Sequence, residues 1–456
     1  MSLNKEVFRE YDVRGIADID FAGDFAFNLG KAFGSHVIIN NRKKIAVSGD
    51  VRNSTERLKK DFILGLIECG IDVIDIGVLP TPANYFANYH LNIDGSVQIT
   101  GSHNPADYNG FKFTFEKKSF FGDSIQKLYS IILNSKYQIN KGSYSKYNII
   151  EDYIADIVSK INLKRKIKVI MDCGNAAGCI VAPHIFKKLN IDLEELYCDV
   201  DGSFPNHHPD PTVDSNLESI VKQIKLNKFD LGIAYDGDAD RVVCVDSDGR
   251  IIRSDILMCI LAQNVLKKSN SKKIIYDVKC SSAIKEVITK SGGEPIELKT
   301  GHSLIKNKMQ LESSEFGGEM SGHIFFADRY YGYDDAIYVS LRLIEILSES
   351  SMSLSEMADL IPKYCSTPEL RFECKNDQIK FDIMSDIKMY FKKIYDCSLI
   401  DGIKVFIDNG WGLLRASNTQ PVIVCRIEGR TDKELNKIKD IILLKLSEYK
   451  DVKIEL

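Results

Sequence analysis

Short apolar runs alternate along this chain with longer stretches whose apolar positions recur at helical spacing. That alternation predicts α/β architecture. The runs fall into three comparable sets. The first has Lys44–Ser48 followed by Gly-Asp-Val-Arg, Val73–Val78 followed by Leu-Pro-Thr-Pro, and Val97–Thr100 followed by Gly101-Ser102-His103-Asn104-Pro105. The second has Ile167–Met171 before Asp-Cys-Gly-Asn, Leu193–Tyr197 before Cys-Asp-Val-Asp-Gly, and Leu231–Tyr235 before Asp236-Gly-Asp238-Ala-Asp240-Arg241. The third has Lys273–Tyr276 before Asp277-Val-Lys279, Pro295–Leu298 before Lys-Thr-Gly-His302, and a phrase ending Glu319-Met320-Ser321-Gly322-His323. Comparing loops rather than whole segments exposes a weak internal repeat. Each unit puts polar loops at the carboxyl ends of strands, the edge where open α/β sheets bind ligands. Three such units and a different tail from about residue 368 predict one cleft lined by four segments. Polar breaks at 141–146, after 248–250 and at 366–368 divide the chain into 1–146, 147–252, 253–367 and 368–456.

Bulk properties narrow the class. A chain of 456 residues is too long for one ordinary core. It is 44% apolar and 27% charged, as expected of a globular enzyme, and has no low-complexity tract. Its net charge of −4, from 60 basic and 64 acidic residues, gives no electrostatic case for nucleic acid or an anionic membrane. Met-Ser-Leu-Asn-Lys-Glu places charge where a signal peptide needs an apolar stretch. Eleven cysteines occur without a Cys-x-x-Cys pair, and Cys244 and Cys425 sit inside apolar runs, so buried free thiols and a cytoplasmic setting are expected.

Chemistry concentrates in two loops. Ser102 offers a hydroxyl on a turn punctuated by Gly, Asn and Pro. No Gly-x-Ser-x-Gly elbow surrounds it, so acyl transfer is not indicated. His103 joins the catalytic candidates, although neighbours leaving a strand are expected to point apart, which argues against a Ser–His relay. Asp236, Asp238 and Asp240 bring three carboxylates within five residues, and these repel unless a cation holds them. An EF-hand is a poor fit because Arg241 takes the glycine position and Ser247 that of the bidentate Glu. A hydroxyl beside a hard divalent cation suits phosphoryl transfer, where the cation offsets spreading negative charge.

Further loops add binding groups. Arg415 with Ser417, Asn418 and Thr419 combines a guanidinium with hydroxyl and amide donors suited to a phosphate. Glu319 and Ser321, read as strand-like, would face one way and grip neighbouring sugar hydroxyls. Lys112 follows Tyr108-Asn109-Gly110-Phe111 and His302 follows Lys299-Thr300-Gly301, and either could transfer a proton if the cleft tunes its pKa.

With these loops in hand, the chain resembles the α-D-phosphohexomutase family, in its bacterial phosphomannomutase/phosphoglucomutase group. The resemblance runs from Phe8-Arg9-Glu10-Tyr11-Asp12-Val13-Arg14-Gly15 to Arg415–Pro421, with the motifs in family order. It implies three similar α/β domains and a smaller C-terminal α+β domain of TATA-binding-protein-like type around one central cleft. It makes Ser102 the phosphoserine, and Asp236, Asp238, Asp240 and a phosphoserine oxygen the Mg²⁺ ligands. Arg241 would support the phosphorylated loop, and Lys112 and His302 match the family's acid/base candidates. Glu319 and Ser321 would read sugar hydroxyls, while Arg415, Ser417, Asn418 and Thr419 would hold the non-reacting phosphate. Tyr11, Arg14, Lys279 and His323 match cleft positions, as does His302.

The resemblance further implies reversible transfer between C1 and C6 of hexose phosphates through a hexose 1,6-bisphosphate, by a monomer or weak homodimer. Met320 between Glu319 and Ser321 fits the mannose/glucose group. Mannose and glucose differ only at C2, so contacts to the 3- and 4-hydroxyls predict activity on both. The alternatives are a glucosamine-phosphate mutase, a metal-dependent sugar phosphatase and a non-catalytic sugar-phosphate-binding protein.

Overall fold

The computed structural model describes residues 3–417 and 421–454. Three sheets repeat one topology. In the first, Lys44–Gly49 pairs in parallel with Asp72–Val78 and Gly95–Ile99, and Gly95–Ile99 pairs antiparallel with Tyr108–Phe115. In the second, Lys168–Asp172 lies between Asp192–Leu196 and Leu231–Tyr235, which turns back into Val242–Asp246. In the third, Lys273–Asp277 lies between Glu294–Leu298 and Phe316–Gly318, which turns back into Ile324–Phe326. The serine loop, the aspartate loop and the Glu319 loop are therefore the same hairpin in three copies. Gly95–Ile99 and Leu231–Tyr235 are buried throughout, which explains why they read as continuous apolar runs rather than alternating ones.

One continuous apolar core joins parts of all three units, from Phe86 through Ile185 to Leu341. The helix Ala336–Glu349 buries nearly all of its residues, because it packs on the third unit's strands and also on Leu231–Tyr235 and Val242–Asp246. Asp335 caps this helix by accepting from the Tyr338 N–H at 2.9 Å. Its other oxygen accepts from the hydroxyls of Tyr153 at 2.8 Å and Tyr330 at 2.6 Å, tying the second unit to the third. Burial outweighs these donors and pushes the Asp335 carboxyl up to about 6. A carboxyl raised on folding adds stability below its unfolded value, and that contribution is lost as pH rises through about 6. Asp335→Asn should therefore gain on the native protein in urea midpoint between about pH 5 and 7.5; a constant difference would contradict this.

The tail is a separate unit. Leu370–Cys374, Val422–Gly429, Gly410–Ala416 and Ile403–Ile407 form an antiparallel sheet, with helices Asp377–Phe391 and Asp432–Leu446 packed on it around their own core. A small cluster of Val278, Trp411 and Leu413 links it to the third unit. The surrounding contacts are polar: Trp411 Nε1 donates to Ser282 Oγ, and Lys404 donates to the Val278 carbonyl and to Glu297. A small, polar junction of this kind favours movement of one unit against the other. Among the described residues no helix is long and apolar enough to cross a membrane.

Candidate active site

Ser102 sits at the tip of the first unit's hairpin with φ of 49°, in the left-handed region, and is 2% exposed. This conformation breaks the alternation expected of a strand. The Ser102 Oγ consequently lies 3.2 Å from His103 Nδ1, so the expectation that these two side chains point apart is corrected. Burial, followed by the nearby Arg241 and Arg14, holds the His103 ring well below the usual histidine range and so neutral. The loop is held from beneath by Arg52, which donates to the carbonyls of Ser102 at 2.7 Å, Asn104 at 2.6 Å and Tyr108 at 3.0 Å, and also to that of Pro105. Asp50 pairs with Arg52 at 3.1 Å and accepts from the Thr100 hydroxyl and the Gly101 N–H. From the outer side Arg14 donates to the Gly101 carbonyl at 3.0 Å and to Asn104 Oδ1 at 2.6 Å.

The second unit's hairpin meets this loop directly. A Cβ at Gly237 would lie 2.2 Å from the Ser102 carbonyl oxygen, so only glycine permits the approach. Ser102 Oγ donates to Asp236 Oδ2 at 3.1 Å. Gly237→Ala must push the two loops apart. A shift of about 1 Å at a reacting atom costs on the order of 10²-fold, and steady-state kcat should fall by about that much; an unchanged kcat would contradict it.

Asp236, Asp238 and Asp240 are completely buried, with one oxygen of each within 4.8 Å of the others. Asp236 Oδ1 accepts the N–H groups of Asp240 and Arg241, both at 3.1 Å. Burial, then the neighbouring Asp240 and Asp238, drives the Asp236 carboxyl well above the usual range. Asp238 accepts from the Thr81 hydroxyl at 2.5 Å, and Lys112 Nζ reaches both Asp238 and Asp240 at 2.6 Å. Burial disfavours charge on Asp238, yet Lys112 overcomes this and holds it below the ordinary carboxylate range. Part of the cation that three adjacent carboxylates demand thus comes from a lysine 126 residues away in sequence. Among the described residues, Asp238 Oδ1 and Asp240 Oδ1 remain buried without a hydrogen-bond partner. Two unpartnered carboxylate oxygens inside an acidic cluster are the donor set a hard divalent cation takes.

The third unit contributes a histidine pair. The rings of His302 and His323 stack with centroids 5.1 Å apart. Both turn Nδ1 toward the buried Asp334, at 3.4 Å and 2.9 Å, and Lys306 closes the other Asp334 oxygen at 2.8 Å. Burial and then Lys306 lower His302 below the ordinary histidine range. Arg241 Nε donates to His323 Nε2 at 2.9 Å, which assigns the His323 proton to Nδ1, facing Asp334. Glu319 and Ser321 lie in the turn after Phe316–Gly318, not on a strand as the sequence reading had them. Gly322 there has φ of 98°, and the turn brings Ser321 Oγ to Glu319 Oε2 at 2.8 Å. Glu319 Oε1 accepts from the Gly301 N–H at 2.5 Å, linking this loop to the start of the His302 helix.

The fourth unit reaches in at the rim. Arg415 pairs with Asp401 at 2.9 Å, and Asp401 accepts from the Thr300 N–H at 3.3 Å. The Tyr11 hydroxyl donates to the Thr300 carbonyl at 2.9 Å, so the first, third and fourth units converge on one residue. Lys279 reaches Glu369 at 3.3 Å. Ser417 is buried, and its carbonyl accepts from Lys380 at 2.7 Å. Asn418 and Thr419 lie outside the described residues.

Two adjoining cavities, of about 590 and 750 Å³, share His103, Arg241 and Arg371 and together form the cleft. The first exposes Ser102, Lys112, His302, His323, Tyr11 and Arg14, and the second Lys279, Met320 and Ser321. The aspartates lie beneath the surface, and neither Glu319 nor Arg415 is among the lining residues. Sequence reasoning passed over Arg52, Asp50, Thr81, Asp334 and Lys306. Asp50-Val-Arg52 and Thr81 carried a signal, as parts of loops at the ends of strands.

Comparison with known proteins agrees with this arrangement. Family descriptions of the phosphoglucomutase/phosphomannomutase α/β/α domains I, II and III match residues 5–138, 151–249 and 253–364, and the C-terminal domain matches 369–445. The chain is 40% identical to a phosphomannomutase/phosphoglucomutase of Pseudomonas putida, over 98% of this chain and 96% of that one. It is 38% identical to a phosphoglucomutase of Neisseria gonorrhoeae, over 96% of each. A crystal structure of a phosphoglucomutase/phosphomannomutase family protein from Burkholderia thailandensis superposes with a TM-score of 0.93 at 37% identity, covering 98% of both chains. With all four domains matched in order over nearly its whole length, the chain belongs to the phosphoglucomutase/phosphomannomutase family.

Proposed function

We propose that this enzyme is an isomerase that moves a phosphoryl group between C1 and C6 of hexose phosphates, with mannose and glucose phosphates as substrates. The observation that carries the reading is the Ser102 hydroxyl, 3.1 Å from Asp236, in a buried acidic cluster at the floor of a cleft that four units line. Asp236, Asp238 and Asp240 would hold Mg²⁺, joined by an oxygen of phosphorylated Ser102. The ion supplies positive charge that offsets charge spreading over the transferring phosphoryl oxygens.

The chain's own groups divide the remaining work. Phosphorylated Ser102 gives its phosphoryl group to the free hydroxyl of the bound sugar phosphate. His302, neutral and with Nδ1 turned to Asp334, has Nε2 left for the proton of that hydroxyl. Lys112 stands as the charge partner of Asp238 and Asp240. The resulting 1,6-bisphosphate turns over in the cleft and returns its other phosphate to Ser102. Glu319 and Ser321 read sugar hydroxyls in either orientation, and Arg415 and Ser417, with Asn418 and Thr419, grip the phosphate that is not reacting. The small junction around Trp411 lets the fourth unit close over an intermediate that must not escape.

A coupled assay on the 1-phosphates of mannose, glucose and glucosamine tests the reading. Turnover of the first two is expected; turnover of glucosamine 1-phosphate alone would replace it with the aminosugar reading, and release of inorganic phosphate with the phosphatase reading. Chelation of divalent ions should lower turnover on the order of 10³-fold, because several kcal/mol of charge stabilisation is lost. Added Mg²⁺ should restore it. Full activity in excess chelator would contradict the metal role.

A further inference from the structure

We propose that His207 is a positioning residue for the reaction: it pins a strap, residues 201–210, on which the serine loop and the aspartate loop both rest. The proposal takes Ser102 and the three aspartates as the reacting groups, as in the reading above. The strap belongs to the second unit, yet it reaches the support of the serine loop in the first. Phe204 is buried against Arg52, whose guanidinium carbon lies 5.1 Å from its ring centre. The backbone at Gly202 passes so close to the Val51 carbonyl that a Cβ there would lie 2.3 Å from the oxygen. Pro209, also buried, packs on Gly174 and on Gly237, where a Cβ would lie 3.0 Å and 3.5 Å from its ring atoms. One strap thus touches the arginine that holds the serine loop and the glycine on which Ser102 rests.

His207 supplies the anchor. Its Nε2 faces both oxygens of Asp172, at 3.1 and 3.2 Å, and its Nδ1 faces the His208 carbonyl at 2.9 Å. A carboxylate and a carbonyl only accept, so the ring carries a proton on each nitrogen and a positive charge. Burial opposes that charge, yet Asp172 and the His208 carbonyl outweigh it and raise the ring above the ordinary histidine range. Asp172 itself is buried and also accepts from the Gly174 N–H at 2.8 Å. The Tyr197 ring lies T-shaped to the imidazole, with centroids 5.4 Å apart. Asn206 adds a second tie by donating to Asn175 Oδ1 at 2.7 Å.

From Asp172 the path to the reacting atoms is short. In the segment that follows it, the Ala177 N–H donates to the Gly237 carbonyl at 3.2 Å. Gly237 stands between Asp236 and Asp238 and lies against the Ser102 carbonyl. Without the His207 charge, Asp172 is stranded in the interior, and the strap and this segment lose their common anchor. His207 lines neither cavity of the cleft, so the groups that bind the sugar phosphate do not depend on its contact. Its loss should therefore act on the chemical step and not on binding.

Steady-state kinetics and hydrogen exchange on the full chain test the proposal. His207→Ala should lower kcat on mannose 1-phosphate about 10²-fold, the cost of a misplacement near 1 Å, while KM stays within about threefold. His207→Gln, which keeps one donor, should lose about tenfold and serves where the alanine variant does not fold. His207→Gln combined with Asp172→Asn removes the stranded charge and lets two amides pair, so kcat should return to within about threefold of native. Hydrogen exchange read by mass spectrometry should quicken over 172–178 and 236–241 in the single variants and stay as it was in Gly410–Ala416. Exchange needs no turnover, so it decides the proposal even where the native chain leaves mannose 1-phosphate unchanged, a result that would count against the mutase reading alone. Native kcat in both single variants, a KM that rises as much as kcat falls, a double variant no better than His207→Gln, or unchanged exchange over 236–241 would overturn it.

Discussion

Ser102→Ala is expected to cut kcat/KM for mannose 1-phosphate at least about 10⁴-fold, the scale seen when a covalent nucleophile is removed. The protein should stay folded, because among the described residues Ser102 Oγ hydrogen-bonds only to Asp236 and His103, while the backbone carbonyl held by Arg52 is untouched. The same variant should take up no phosphoryl group from glucose 1,6-bisphosphate. Its sugar-phosphate affinity should stay within a few fold, since the phosphate grip proposed for the fourth unit lies elsewhere. Steady-state kinetics and calorimetric titration check the two halves. A variant retaining more than about a hundredth of native turnover would show that the hydroxyl does not carry the group.

The largest stability effect is expected at Arg52, a residue that meets no substrate in this account. Its side chain is fully buried, donates to four carbonyls of the serine loop and pairs with the equally buried Asp50. Arg52→Met removes every one of those donors and leaves Asp50 as an uncompensated buried charge. Breaking one partner of such a pair costs about 3–5 kcal/mol, a large part of the stability of an ordinary domain. Urea denaturation should show this loss. Asp50→Asn combined with Arg52→Met should recover part of it, because the stranded charge is gone. A single variant within about 0.5 kcal/mol of native stability would mean the carbonyls find other partners.

How much of this could be read from the chain follows from the kind of signal each feature leaves. The repeated sheet was legible because each unit's third strand returns through a hairpin rich in Gly, Asp, Asn or Pro, and these residues mark turns wherever they occur. The aspartates stood out because three carboxylates within five residues demand a cation, and Ser102 because it sits on a turn punctuated by Gly, Asn and Pro; the family resemblance then implied their roles. The closeness of Ser102 and His103 was not legible, because the left-handed φ of a serine has no sequence signature. Glu319 and Ser321 read as a strand because an i, i+2 spacing fits a strand and a tight turn equally. Long-range partners left no trace: Lys112 meets Asp238 across 126 positions, and Tyr153 meets Asp335 across 182. Arg52 looked like one more loop arginine, since its role depends on carbonyls contributed by a segment about fifty residues downstream. Asp334 was hidden because a buried carboxylate between tyrosines and a helix start resembles a helix cap, the role its neighbour Asp335 in fact plays.

The central claim is that Ser102 carries a phosphoryl group that passes to sugar and not to water. The most direct measurement loads the enzyme with glucose 1,6-bisphosphate carrying radiolabelled phosphate, removes the excess sugar, and chases with unlabelled mannose 1-phosphate. The account predicts one labelled phosphoryl group per chain on Ser102 before the chase, and its recovery in mannose bisphosphate and mannose 6-phosphate afterwards. Label recovered as inorganic phosphate, or a chain that never takes up label, would contradict it.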